Sequence, residues 1–390
     1  MRSKRRMQTR ACISPARVLD FVQQLFDPVL HAKRIASIAD ATVGVLRGTS
    51  LAIHAIGAGL AVAKGLNSKH ATKQVDRLLS NPALCPDRLS TAWVPFVVSQ
   101  RTDLVVALDW TDFEEDDHAT LSLSVLTTHG RSTPLLWQTV RKSGLRKRKN
   151  FVEDALLRKL RDRVPESVRI TVVADRGFGD QKLYAFLREL DMHYIIRFRS
   201  NIRVTDPSGF SQPAQAWVPL NHRAKRLLGA GVTADEYPVG AVVLIKDRDM
   251  QQAWCLATSR TDLTSRQVID LYAKRFSCEE TFRDTKNAHL GLGLSQTHIH
   301  DAQRRDRLLM LCALAMALLT LLGAAGESLG EDRMLKVNTV KTRTHSLLRQ
   351  GLFYYQAMET WPLERSARLL ARFGHLLSEH TWSQQAFGIV

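Results

Sequence analysis

The sequence predicts an α/β protein: a mixed sheet with flanking helices, a β-rich insertion, and helical N- and C-terminal regions. Three observations carry this. Between residues 104 and 198 short strand-like runs give way to a strand–helix alternation. From 200 to 260 eight Pro and Gly residues punctuate short strand candidates. Before residue 100 and after 264 the apolar spacing is helical. Hairpin-linked strands followed by helix-alternating strands imply a mixed sheet covered by helices.

The N-terminal hundred residues read as helices. Val18, Phe21, Val22, Leu25 and Phe26 recur at helical spacing. Breaks are expected at Gly48, at a Gly-rich turn around Gly57 and Gly59, and at Asn81-Pro82. A secretory leader would instead carry a solid apolar run, so a cytoplasmic protein is expected. The sheet begins with Leu104–Leu108, a continuous apolar run that suits a buried strand. Alternation at Leu121, Leu123 and Val125 and the segment 134–140 supply the next two strands. A helix at about 151–163, a β-branched strand 168–174, a helix at about 180–190 and a strand 194–198 follow. This order resembles that of the ribonuclease H-like fold. In the insertion, 241–245 is the clearest strand. Thr264 and Gln267 have the spacing of a capping box and open the next helix. Leu308 to Ala325 is almost wholly apolar. It suits a helix buried on all sides, with a single membrane span as the alternative.

Composition narrows the function. The chain of 390 residues has 55 Lys plus Arg against 38 Asp plus Glu, a formal charge of +17. Such an excess favours a polyanionic partner, nucleic acid first and an anionic membrane surface second. The five cysteines are scattered without a C-x-x-C pair. That excludes a disulfide framework or a cysteine zinc site and fits a reducing compartment.

Basic groups cluster in four places. Arg2, Lys4, Arg5, Arg6, Arg10 and Arg17 crowd the first eighteen residues without an acid, as a DNA-contacting arm or a solvated tail would. Lys69, His70, Lys73 and Arg77 share one helix face, which contacts DNA or faces solvent. Arg141, Lys142, Arg146, Lys147, Arg148 and Lys149 form a loop fit to track a DNA backbone. Lys336, Lys341, Arg343 and Arg349 make the C-terminal region basic.

Two aspartates end apolar strands: Asp109, followed by Trp110-Thr111-Asp112, and Asp175, followed by Arg176-Gly177-Phe178. Each alone suits a turn or cap. On adjacent strand tips they would converge. Asp112 is the nearest competitor to Asp109, and Glu114 to Asp117 read as a hairpin tip. His298 and His300 have a zinc-like spacing but no third ligand beside them, so a surface loop is expected. After the insertion, Tyr272, Arg275, Glu279 and Lys286 fall within roughly a 60° arc of one helix face at ~100° per residue. Phe276 and Phe282 flank that arc. One acid among cations on a packed helix suits a metal ligand beside phosphate-binding groups.

Tyr272-x-x-Arg275-x-x-x-Glu279-x-x-x-x-x-x-Lys286 resembles the YREK signature of bacterial insertion-sequence transposases of the DDE type, the insertion sequence four-like family. The Asp109 strand, the Asp175-Arg176-Gly177-Phe178 turn and 282–286 resemble it too. The resemblance spans about residues 70–350. It implies a ribonuclease H-like catalytic core in which Asp109, Asp175 and Glu279 are catalytic and bind two Mg²⁺ or Mn²⁺ ions. Tyr272, Arg275 and Lys286 would grip phosphates, Arg176 would assist, and Trp254 either stacks a flipped base or fills the sheet core. Lys73, Arg146, Lys147 and Arg148 are the further DNA-contact candidates.

The domains expected are 1–100, helical and DNA-binding; 101–200, the first part of the core; 201–262, the β-rich insertion; 263–326, the second part of the core; and 327–390, a helical region for dimerisation or DNA contact. The function implied is cut-and-paste transposition: cleavage at terminal inverted repeats and strand transfer, with hairpin ends as a further implication. A homodimer on paired double-stranded DNA ends is implied, with no membrane and no small-molecule cofactor. A DNA-binding descendant that no longer cuts, or a nuclease of the same fold, is the alternative.

Overall fold

The computed structural model describes residues 12–287 and 291–379. Arg2, Lys4, Arg5, Arg6 and Arg10 lie outside the described residues. The described chain forms two compact units. One comprises residues 12–97, 128–131 and 283–379, the other 98–127 and 132–282.

The first unit opens with helices α1 (Pro15–Phe26), α2 (Ala32–Gly48), α3 (Ile53–Lys64), α4 (Ser68–Leu79) and α5 (Pro86–Val98). Ser14 caps α1 by accepting from Arg17 N, and Pro15 sits in the first turn where its missing N–H leaves nothing unsatisfied. Gly57 and Gly59 do not make the turn expected of them; they lie inside α3. They are there because neighbouring backbone passes too close for a side chain. A Cβ at Gly59 would stand 2.5 Å from the Gly44 carbonyl oxygen, and one at Gly57 2.5 Å from Thr72 Cα.

The second unit carries the sheet. Along the chain come β1 (Asp103–Phe113), β2 (His118–Val125), β3 (Thr133–Arg141), α6 (Lys149–Arg163), β4 (Arg169–Ala174), α7 (Gln181–Glu189) and β5 (His193–Phe198). Next are β6 (Arg203–Thr205), β7 (Ser211–Pro213), α8 (Ala214–Trp217), β8 (Lys225–Leu228), β9 (Gly231–Val232), β10 (Tyr237–Pro238), β11 (Ala241–Ile245) and β12 (Trp254–Thr258). Then follow α9 (Ser265–Ala273) and α10 (Phe276–Lys286). Eight strands make one mixed sheet in the order β3-β2-β1-β4-β5-β12-β11-β8. Only the β1–β4 and β4–β5 pairs in it are parallel. This eight-stranded sheet with flanking helices is compatible with a ribonuclease H-like core. The β-rich stretch has two fates: β8, β11 and β12 extend the main sheet, while β10-β9-β6-β7 form a small sheet of their own.

β1 runs past the expected end at Leu108 to Phe113, because β2 continues to pair with it through Phe113↔His118. The acidic run forms a 3-10 turn, Glu114–Asp116, and Asp117 closes it with φ 51°. That left-handed conformation is one Asp tolerates.

The rest of the first unit is α11 (Ala302–Ser328), α12 (Leu347–Ala357) and α13 (Leu363–Ser378). α11 is long and apolar enough to cross a membrane, yet 89% of its apolar window is buried within the protein. Helix α12 covers it at backbone distance, since a Cβ at Gly351 would stand 1.8 Å from the Leu319 carbonyl oxygen.

Candidate active site

Strand alternation sets which side chains meet. Val105 and Ala107 of β1, Val173 of β4, Ile195 of β5, Val243 of β11 and Leu256 of β12 share one core cluster with Val268, Ile269, Tyr272 and Cys278. Those last four belong to α9 and α10, so both helices cover this face. Two residues further along, the same face carries Asp109, Asp175 and Arg197. β1 and β4 are parallel with Leu108 opposite Ala174, so Asp109 and Asp175 are the next neighbours across the pair. Adjacent strands lie roughly 5 Å apart. Asp109 is therefore not at its own strand's end; it sits where the β4 neighbour ends.

Asp112 is an odd number of residues from Asp109 and so takes the opposite face. Its carboxylate bonds Lys142 Nζ at 2.8 Å. The competitor to Asp109 points away from Asp175.

Glu279 comes from α10. The expectation of one continuous helix from Tyr272 to Lys286 is corrected here: α9 ends at Ala273 and α10 begins at Phe276. Between them the ladder tightens, with Arg275 N bonding Tyr272 O at 3.0 Å and Cys278 N bonding Arg275 O at 2.9 Å. Such i to i−3 bonds make a 3-10 turn. Arg275 stands in that turn, 6% exposed, and donates from Nη2 to Glu279 Oε1 at 2.7 Å. Lys286 ends α10, half-buried.

The three carboxylates share one electrostatic environment. Asp109 is pushed up to about 6 by burial and by the charges of Asp175 and Glu279, against the pull of Arg275. Each carboxylate has one oxygen engaged and one without a partner among the described residues. Asp109 Oδ1 accepts from Trp110 N at 3.1 Å, Asp175 Oδ1 caps the following turn by accepting from Gly177 N at 2.8 Å, and Glu279 Oε1 is held by Arg275. Three open carboxylate oxygens suit a hard divalent cation. Among the described residues, however, no group of three or more His, Cys, Asp or Glu is drawn together to hold an ion as it stands. The Glu279 side chain is 51% exposed. His298 and His300 are exposed and belong to no such group.

Tyr272 is placed differently from the expectation of a phosphate-facing phenol. It is 1% exposed and packs edge-on against Trp254, centroids 4.8 Å apart. Burial raises its pKa, against the opposing pull of the nearby Arg275 and Arg197 charges. The Arg275 guanidinium lies 5.8 Å from the centre of its ring. Trp254 is half-buried between Tyr272 and Phe276. Arg176 is exposed and donates to Gln252 Oε1 at 3.1 Å.

Arg146, Lys147 and Arg148 are exposed before α6. The next residue, Lys149, sits 5.5 Å above the rings of both Trp110 and Phe178. Trp110 directly follows Asp109 and so takes the opposite face of β1, and Phe178 stands three residues after Asp175. Glu153, one turn on, accepts from Trp110 Nε1 at 2.7 Å. In the other unit, Lys69, His70, Lys73 and Arg77 are all exposed along α4. Sequence reasoning missed Arg197, Gln252 and Glu153. For Arg197 a signal existed: a charged residue at an inward-facing position of an apolar strand.

Comparison with curated proteins returns no match. The family described as transposase DDE domain matches residues 100–316, a span that includes Asp109, Asp175 and Glu279. Members act on DNA and generally use divalent metal ions. More than half of the chain lies within that match, and the chain belongs to the DDE transposase family.

Proposed function

We propose that this transposase cuts and joins DNA by a cut-and-paste route, with Asp109, Asp175 and Glu279 as the ligands of two Mg²⁺ or Mn²⁺ ions. The observation that carries the proposal is that the charges of Asp175 and Glu279 both act on the buried Asp109, while each of the three carboxylates keeps an unengaged oxygen. Bound there, two divalent ions would stabilise the attacking and leaving oxygens of an in-line phosphoryl displacement. Arg275, which now pairs with Glu279, would pair with the scissile phosphate instead once Glu279 served as a ligand. Tyr272 backs Arg275 from the core, and Arg176 and Lys286 hold flanking phosphates. Water as nucleophile leaves a 3′-OH on the element's end, and that hydroxyl then attacks a second phosphodiester.

The remaining details follow the YREK-type reading. The substrates are double-stranded DNA ends and target DNA, the acting species is a homodimer on paired ends, and cleavage proceeds through hairpin ends. Trp254 stacks an extruded base, and Lys73, Arg146, Lys147 and Arg148 track the backbone. The test is strand transfer: a labelled pre-cut end with a free 3′-OH is mixed with supercoiled plasmid in Mg²⁺. Label joined to plasmid is the expected product. Nicked plasmid with no joined label would make the protein a nuclease instead.

A further inference from the structure

A second feature of the sheet unit is a cavity of about 720 Å³ at the end of β5, beside the end of β11 and the start of β12. Arg176, Arg197, Arg199, His222 and Lys246 line it, and no carboxylate does. Arg176 and Arg197 both bond Gln252 Oε1, at 3.1 and 3.3 Å. A neutral amide oxygen fixes the two guanidinium groups without neutralising them. The Arg199 guanidinium and the Lys246 ammonium have no hydrogen-bond or ion-pair partner among the described residues. The His222 ring is fixed on the Lys246 carbonyl at 3.0 Å. Four uncompensated cations in one concavity repel one another, and an anion relieves that cost.

Resting on the DNA-substrate reading above, we infer that this cavity binds a single-stranded stretch of DNA by its phosphates. A cavity of this volume falls within the ~300–1,000 Å³ of small-ligand sites. A duplex, whose major groove alone is ~12 Å wide, lies across its rim; one unpaired strand enters. The direction is set by Arg176 and Arg197. Arg176 follows Asp175 in sequence, and Arg197 neighbours Asp175 across the sheet. A strand leaving the carboxylates therefore meets these two arginines first and Arg199 and Lys246 beyond them.

The test is fluorescence anisotropy of a short labelled oligothymidylate with the full chain in EDTA, across a salt series. Arg199→Ala/Lys246→Ala is compared with the charge-conserving Arg199→Lys/Lys246→Arg. Single-strand binding loses roughly 0.7 in log–log salt slope per phosphate contact, so the alanine pair should lower the slope by about 1.4. The conservative pair should retain it, and duplex affinity should stay within about twofold. An unchanged single-strand slope, or equal losses for duplex and single strand, overturns the inference. So does displacement of the oligonucleotide by inorganic tripolyphosphate at equal phosphate concentration, which marks a free polyphosphate site. Because the assay contains no divalent metal, failure of cleavage or joining elsewhere leaves its outcome readable.

Discussion

Replacing Asp109 by Asn removes a carboxylate that the fold holds at a cost. Burial and the neighbouring Asp175 and Glu279 raise its pKa from 3.8 to about 6. A pKa raised in the folded state means that the folded protein binds the proton more tightly. The stabilising protonated form is fully present below the unfolded value and is lost as pH rises through about 6. The shift is about 2 units at ~1.36 kcal/mol each, so ionised Asp109 costs roughly 3 kcal/mol at pH 8. Asp109→Asn should recover most of that. At ~2–4 °C per kcal/mol for 150–250 residues, Tm in EDTA should rise by roughly 6–12 °C at pH 8. The gap between the two proteins should close toward pH 4, where both carry a neutral side chain. Adding Mg²⁺ should stabilise the wild type and leave Asp109→Asn unmoved. Scanning calorimetry at several pH values reads all of this. A variant less stable than wild type at pH 8, or a gap independent of pH, would refute the electrostatic reasoning.

Three further outcomes are expected. Arg275→Lys loses the fork that holds Glu279 and reaches the phosphate; a charged hydrogen bond contributes ~1.5–3 kcal/mol, so single-turnover nicking should slow by roughly 10–100-fold. Its stability in EDTA should fall by less than about 1 kcal/mol, because the Glu279 side chain is half exposed. Simultaneous Arg146→Ala, Lys147→Ala and Arg148→Ala should lower the salt slope of duplex binding by about 2.7, if each touches one phosphate at ~0.9 apiece; anisotropy over a salt series measures it. Gly351→Ala places a Cβ 1.8 Å from the Leu319 carbonyl oxygen, so α11 and α12 must part, at roughly 1–3 kcal/mol, seen as a lower Tm.

Much of the sheet was legible because strands declare themselves by local apolar pattern. The run at Leu104 to Leu108 and the β-branched run before Asp175 located the two parallel strands, and the family match supports the reading they led to. What stayed hidden depended on partners distant in sequence. The extension of β1 to Phe113 is set by β2, and Gly57 and Gly59 look like turn formers until the backbones beside α3 are seen. Helical spacing placed Tyr272 and Glu279 on one face, but it could not register the 3-10 turn at Arg275 that buries the phenol. Arg197 carried a signal as a charged residue in an apolar strand, but its place beside Asp175 needed the β4–β5 register, and Gln252 needed its side-chain bond to Arg176.

The most direct test of the three-carboxylate site is nicking of a labelled duplex carrying the element's end and its native flank, in Mg²⁺. Wild type is compared with Glu279→Ala and Asp112→Ala. Wild type and Asp112→Ala should cut, because Asp112 faces away from the site and bonds Lys142, while Glu279→Ala should bind the end and leave it intact. Cutting by Glu279→Ala at the wild-type rate, or loss of cutting in a folded Asp112→Ala protein, would contradict the assignment of Asp109, Asp175 and Glu279.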